Sequence, residues 1–106
     1  MDKDRDKIVI YVAGVTHDGR QKLLKKLYVK YCLGKPIKIV LKHDKGNEYD
    51  IHAMKILLDK KCIGYVPMKI SKLIHLAYKQ DMIKKVRLYD IHLENSKFGA
   101  SVIICI

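Results

Sequence analysis

Hydrophobic and polar residues follow two different periods along the chain, and together these periods predict six strands and two helices. Short β-branched runs and apolar–polar alternation, bounded by Gly, Pro or polar stretches, predict the strands. Apolar residues that recur every three or four positions predict the helices. The predicted strands cover residues 8–13, 36–42, 53–58, 62–66, 86–93 and 98–106, and the predicted helices cover residues 20–31 and 68–79.

The first helix is predicted to have one apolar face and one basic face. The apolar positions are Leu23, Leu24, Leu27, Tyr28 and Tyr31. Asp18 is predicted to cap the helix, with Gln21 three residues later completing a capping box. Gly34 and Pro36 are predicted to end it.

The later elements carry more specific signals. Asp59 to Lys61 is predicted to form a hairpin turn between two short strands, and Pro67 to open the second helix. That helix is predicted to bury Ile70, Leu73, Ile74 and Ala77. In the strand 86–93 the apolar phase slips, which predicts a β-bulge near Tyr89 and Asp90. The apolar run 98–106 predicts a last strand buried on both faces.

The order of these elements predicts a mostly-β, α+β domain. The helices do not alternate with the strands, so a small closed or half-closed barrel is favoured over parallel βαβ units. The 106 residues fit one domain, with residues 1–7 as a flexible charged tail and 8–106 as the domain. No apolar run approaches the ~20 residues that span a bilayer. Because the first seven residues lack an apolar segment, a cytoplasmic protein is expected.

Charge adds a candidate partner to this picture. The chain has 22 Lys and Arg against 11 Asp and Glu, for a net charge of +11, and its first seven residues are neutral. A body with this charge attracts phosphate polymers, although a soluble protein rich in lysine is the simpler alternative. Only Arg5, Arg20 and Arg87 are arginines, which favours contacts to a phosphate backbone over readout of bases. The candidate phosphate contacts on the first helix are Lys22, Lys25 and Lys26, although a solvated helix face explains them equally well.

Catalysis and metal binding are not expected. Cys32, Cys62 and Cys105 lack the spacing of a metal site and are interpreted as reduced thiols. Asp50 and His52 share a strand face but have no third ligand nearby in the sequence. No serine or cysteine stands in a pattern that indicates an activated nucleophile. We therefore expect neither an enzyme nor a cofactor.

The segment 47–56 (NEYDIHAMKI) is the most informative part of the chain. An exposed tyrosine at position 49 offers a π-face on which a nucleobase can stack. The Asp50 carboxylate would repel a phosphate, but it could accept a hydrogen bond from a sugar hydroxyl. In the alternative interpretation, Asn47 and Asp50 only close the turn through Asx hydrogen bonds while Tyr49 packs down.

Three blocks of sequence together resemble the HIRAN domain family. They are the VAGV at 12–15, the pattern formed by Asn47, Tyr49, Asp50 and Ala53, and the IGYVP at 63–67. The blocks occur in the family's order and at compatible spacing, so the resemblance covers essentially the whole chain. It implies a six-stranded, OB-like β-barrel, found fused to DNA-remodelling helicases and as a stand-alone bacterial or phage protein.

The resemblance also implies a function. Fused members of the family capture the 3′ end of single-stranded DNA in replication or repair. By this likeness Tyr49 would stack on the terminal base and Asp50 would accept from the 3′-hydroxyl. Asn47 would shape the loop and touch the nucleotide, Tyr65 would contact the strand, and Lys69 would neutralise phosphate. The residues alone fit DNA or RNA, and the resemblance favours DNA.

One departure from the family keeps a second interpretation open. Where DNA-binding members have an Arg and an aromatic residue after the first block, this chain has Thr16 and His17. His17 can still stack, whereas Thr16 carries no charge. The alternative is therefore a protein-interaction adaptor that uses the same barrel to dock an acidic partner, such as a replication or repair enzyme.

Overall fold

The structure is a computed structural model that describes residues 6–17 and 19–106. This part of the chain contains two helices and six strands. The strands are β1 (Lys7–Tyr11), β2 (Ile39–His43), β3 (Met54–Leu58), β4 (Lys61–Tyr65), β5 (Lys85–Glu94) and β6 (Lys97–Cys105). The helices are α1 (Arg20–Cys32) and α2 (Met68–Lys79). The predicted type and order of the elements are confirmed, with bounds that differ by a few residues.

The strands form two antiparallel, three-stranded sheets, in the orders β1-β6-β5 and β2-β3-β4. One bridge joins them just after β1, where Ala13 donates to the Tyr65 carbonyl at 2.8 Å and Tyr65 donates to the Ala13 carbonyl at 2.9 Å. On the opposite side β2 lies close to β5, but the described residues form no ladder between them. The α+β class is confirmed, and the two sheets are not closed into a barrel.

Apolar side chains from both sheets and both helices fill a single core. β3 alternates strictly, so that Met54, Ile56 and Leu58 face this core. β6 runs through the middle of its sheet, and its Ala100, Val102 and Ile104 are buried. Its other face is only partly covered, so the predicted burial on both faces is wrong. None of the described helices has the length and apolar character needed to cross a membrane.

A tertiary contact of Gln21 holds the start of α1. Gln21 Nε2 donates to the carbonyls of Val15 at 3.0 Å and Phe98 at 2.9 Å, and its Oε1 accepts from the Phe98 amide at 2.8 Å. The amide of Gln21 therefore ties α1 to β6. Asp18, the predicted cap, lies outside the described residues.

The buried face of α2 differs from the predicted one. Ile74 is buried as predicted, but Leu73 is 69% exposed, and Ser71 and His75 are buried instead. These two polar residues can be buried because the loop before β3 supplies hydrogen-bond partners for them. The sequence pattern predicts burial of apolar residues, so it favours Leu73 over the polar Ser71 and His75.

Two local predictions about strand geometry are confirmed. The β5–β6 register shifts between Leu88 and Asp90, which leaves Tyr89 as the extra residue of a bulge. Asp59 and Lys60 have φ angles of 50° and 70° and form the tight turn between β3 and β4. Positive φ at both central residues is the geometry of a type I′ hairpin.

Substitution of Gly64 should weaken the junction between the sheets. A Cβ at this position would lie 2.5 Å from the Ala13 carbonyl oxygen and would collide with the Val12 side chain, and φ is 157°. We expect Gly64→Ala to lower the free energy of unfolding by about 2–4 kcal/mol, from overpacking and backbone strain together, as measured by urea denaturation. Gly34→Ala is the control, because its φ is also positive but nothing lies within 4 Å. Equal losses in the two variants would contradict the close approach.

Candidate nucleic-acid interface

An open cavity of about 510 Å³ lies where the two sheets meet, and we call it the junction cavity. The turn after β1, the start of α1, the loop before β3, the end of β4 and the start of α2 all contribute to its wall. Five residues predicted as site residues line it: His17, Asn47, Tyr49, Asp50 and Tyr65. The fold therefore brings together residues that are up to 48 positions apart in the chain.

Asn47 organises the loop that carries Tyr49. Its Oδ1 accepts hydrogen bonds from the backbone amides of Tyr49 and Asp50, both at 2.9 Å. Its Nδ2 donates to Asp44 Oδ2 at 3.1 Å. These bonds form an Asx-type turn, so the turn-closing interpretation of Asn47 is confirmed.

Tyr49 itself does not pack down onto the protein. Its side chain is 87% exposed, although Asn47 holds its backbone in place. An exposed ring on a fixed backbone presents its π-face without a large ordering cost on binding. The alternative interpretation is therefore wrong for Tyr49.

Asp50 combines a structural role with remaining acceptor capacity. Its Oδ2 accepts from the Ser71 hydroxyl at 2.6 Å, and its Oδ1 accepts from the His52 amide at 2.8 Å. The Ser71 hydrogen bond, assisted by that of His52, holds the pKa of the Asp50 carboxyl below its usual value. A carboxylate oxygen has the capacity to accept two hydrogen bonds, so each Asp50 oxygen keeps room for a ligand hydroxyl.

Tyr65 is fixed by a second carboxylate, that of Asp44. The Tyr65 hydroxyl donates to Asp44 Oδ2 at 2.8 Å, and Lys55 Nζ lies 3.7 Å from Asp44 Oδ1. Burial and this hydrogen bond raise the pKa of Tyr65 to about 12, so the phenol stays neutral. The hydrogen bonds from Tyr65 and Asn47 in turn lower the pKa of Asp44. The ring of Tyr65 is thus held in one orientation at the wall of the cavity.

Arg20 lines the junction cavity and was missed by the sequence reasoning. Its Nη1 donates to the Gly14 carbonyl at 2.7 Å, and its guanidinium carbon lies 5.3 Å from the centre of the Tyr65 ring. Arg20 places a positive charge in the wall of the cavity, which the uncharged Thr16 cannot supply. The available signal was that Arg20 is one of three arginines and lies three residues after His17.

The remaining predicted residues are exposed and lie outside the wall of the cavity. Thr16 is in the turn after β1, and Lys69 is in the first turn of α2. Lys22, Lys25 and Lys26 lie on the side of α1 that faces away from Arg20. The structure therefore does not bring these lysines to the cavity.

Three histidines fasten the loop before β3 onto α2. The Nδ1 atoms of His52 and His75 are 2.9 Å apart, so one donates a hydrogen bond to the other. The His43 ring stacks on His75 with 3.9 Å between ring centres, and His43 Nε2 donates to the Ile51 carbonyl at 2.8 Å. His75 is only 7% exposed. The loop that presents Tyr49 thus depends on a buried imidazole.

Comparisons with known proteins found no match: no family model, curated protein or solved structure matches the chain. The geometry also offers no metal centre. Within residues 6–17 and 19–106, no three His, Cys, Asp or Glu side chains are grouped so that they could hold a metal ion. The side chains that line the junction cavity offer a stacking surface, hydrogen-bonding groups and charge.

The histidine cluster should make stability fall below pH 6.5. Burial, and then the neighbouring His43 and His52, lower the pKa of His75 from its ordinary 6.5; Lys79 adds to this and Asp50 opposes it. Below pH 6.5 the unfolded chain therefore binds a proton that the folded protein does not, and the free energy of unfolding decreases with falling pH.

The variant that tests this dependence is His75→Gln, which keeps a hydrogen-bonding amide but cannot titrate. We expect it to be less stable at pH 8 by about 1 kcal/mol and to lose less stability between pH 8 and 5.5, measured by urea denaturation. His17→Gln, at an exposed histidine, should keep the wild-type profile. An unchanged profile in His75→Gln would show that another group causes the loss.

Proposed function

We propose that this protein is a non-catalytic module that binds single-stranded DNA and holds its 3′ end in the junction cavity, as the HIRAN resemblance implies. The observation that carries the proposal is that Tyr49, Asp50 and Arg20 line one cavity. A stacking ring, a hydroxyl acceptor and a cation are the groups needed for a terminal nucleotide. A cavity of about 510 Å³ is also in the size range of ordinary small-ligand sites.

Each side of the cavity would bind a different part of the nucleotide. Tyr49 stacks on the terminal base, and His17, which lines the same cavity, contributes a second ring. Arg20, held by Gly14, offers its remaining N–H groups to a phosphate oxygen. Tyr65 forms a flat, neutral wall against which the sugar or base packs.

Asp50 would give the site its preference for an end. Its carboxylate repels phosphate oxygens but accepts a hydrogen bond from a free hydroxyl. In a DNA strand the internal sugars offer no such hydroxyl, because both of their oxygens lie in phosphodiesters, so a free hydroxyl marks a terminus; the HIRAN resemblance favours the 3′ terminus. We therefore assign the module to processes in which free 3′ ends arise, namely replication and repair.

The proposal extends to the architecture. We infer that the two sheets are the halves of an OB-like barrel of the HIRAN type. The bridge between Ala13 and Tyr65 forms one seam, and the proximity of β2 and β5 marks the other, which lacks ladder hydrogen bonds in the described residues. The junction cavity lies at the bridged seam.

The test compares two fluorescent single-stranded oligomers of one sequence, one with a free 3′-hydroxyl and one with a 3′-phosphate. We expect the phosphate to weaken binding about tenfold or more, because it removes a donor to Asp50 and adds a repelled charge. Fluorescence anisotropy at moderate salt measures both affinities. Asp50→Asn should reduce the difference between them, and equal binding of both oligomers by the wild type would exclude end recognition.

Tyr49→Ala should weaken single-strand binding by about 1–3 kcal/mol through the loss of stacking. Tyr89→Ala is the matched control, because Tyr89 is also exposed, at 57%, but lies in β5 outside the cavity wall. Tyr49→Phe should bind like the wild type, since it keeps the ring. Anisotropy titrations of the free-hydroxyl oligomer measure all three. Wild-type affinity in Tyr49→Ala would exclude stacking at this residue.

A second candidate function is the adaptor, and one feature of α2 favours it. Leu73 is 69% exposed and Leu76 is 41% exposed, and both share a helix face with Lys69 and Lys72. The leucines on this face could pack against apolar residues of a partner protein, and the lysines could pair with its acidic residues. A wild-type protein that binds neither oligomer at low salt would favour this function over the first.

A further inference from the structure

A second open cavity, of about 740 Å³, lies beside the junction cavity and is strongly basic; we call it the lysine groove. It is formed by β2, the loop that follows, β3 and the last turns of α2. Four lysines line it: Lys42, Lys45, Lys55 and Lys79. The stacked rings of His43 and His75 also contribute to its surface.

Most of the positive charge in the lysine groove is not neutralised by the protein. Lys55 lies 3.7 Å from Asp44, the carboxylate in the wall of the groove. Within the described residues, none of Lys42, Lys45 and Lys79 forms an ion pair. Concentrated charge in a concave surface attracts anions more strongly than the same charge spread over a convex one.

The lysine groove and the junction cavity share a wall. Asp44 lines the groove, whereas its hydrogen-bond partners Tyr65 and Asn47 line the cavity. The Asp44 carboxylate, which lies between the two cavities, accepts hydrogen bonds from Tyr65 and Asn47 and lies near Lys55. A strand that leaves the junction cavity across this wall would meet the lysines on the other side.

We propose that the lysine groove binds the phosphates of the strand segment next to the captured end; this rests on the proposed function. Lysine ammonium groups act as point charges and neutralise phosphates without reading sequence. Tyr78, 40% exposed in the wall of the groove, adds a ring on which a base can stack. The volume of the groove suits a chain of nucleotides better than one small anion.

The exposed lysines of α1 are the alternative phosphate-binding surface, and their position relative to the junction cavity favours the lysine groove. Lys22, Lys25 and Lys26 point away from Arg20 and hence from the junction cavity. The two sets provide variants of equal charge change on different surfaces.

The experiment measures how the affinity for a free-3′-hydroxyl oligomer of about 12 nucleotides depends on salt. The first variant combines Lys42→Ala, Lys45→Ala and Lys79→Ala. Each lost phosphate contact reduces the magnitude of the negative slope of log K against log salt by about 0.7, so we expect this magnitude to decrease by about 2. The control combines Lys22→Ala, Lys25→Ala and Lys26→Ala, and it should keep the wild-type slope. A dinucleotide, too short to reach the groove, should bind both triple variants equally.

The outcomes separate the groove from the site on which it depends. A wild-type slope in the groove variant, or a loss confined to the α1 variant, would overturn the groove. A wild type that binds no oligomer would overturn the groove together with the proposed function. A reduced slope in the groove variant, with the preference for the 3′-hydroxyl intact, would support both. A reduced slope in the groove variant, with no end preference in the wild type, would support phosphate binding in the groove and exclude only the end-reading role of Asp50.

Discussion

The backbone hydrogen bonds between Ala13 and Tyr65 are the contact from which the rest of the site follows. They join two sheets that are otherwise separate ladders in the described residues, and they require the close approach that Gly64 allows. The turn after β1 and the end of β4 meet there, so Arg20 reaches the Tyr65 ring. Together with the shared core, this bridge fixes the two halves of the cavity wall relative to each other.

The loop that carries Tyr49 is ordered by polar contacts rather than by apolar packing. Asn47 closes it, Ser71 holds Asp50, and His75 holds His52. Within the described residues every buried side-chain nitrogen or oxygen has a hydrogen-bond partner. A satisfied network of this kind is rigid, so the exposed ring is presented on a base that binding need not order. The same network couples the loop to pH through one buried imidazole.

The two carboxylates of this surface stay charged, because hydrogen bonds lower the pKa values of Asp44 and Asp50. Asp44 and Asp50 are both engaged by neutral hydrogen-bond donors, and Asp44 also lies near Lys55. The lysines around them keep most of their charge. In the proposed function, the surrounding lysines attract the phosphates, and Asp50 favours a free hydroxyl over a phosphate.

The sequence by itself determined the elements, because hydrophobic period, turn residues and the phase slip at Tyr89 are local properties of the chain. It also predicted five residues of the cavity wall: Asn47, Tyr49 and Asp50 are neighbours in one loop, and the HIRAN resemblance added His17 and Tyr65. Tertiary structure alone decided the rest. Gln21 binds Phe98, which is 77 positions away, and Leu73 is exposed because polar partners from a distant loop bury Ser71 and His75. Arg20 enters the wall only because α1 packs beside β4. Such contacts depend on which surfaces meet in space, and local patterns carry no information about that.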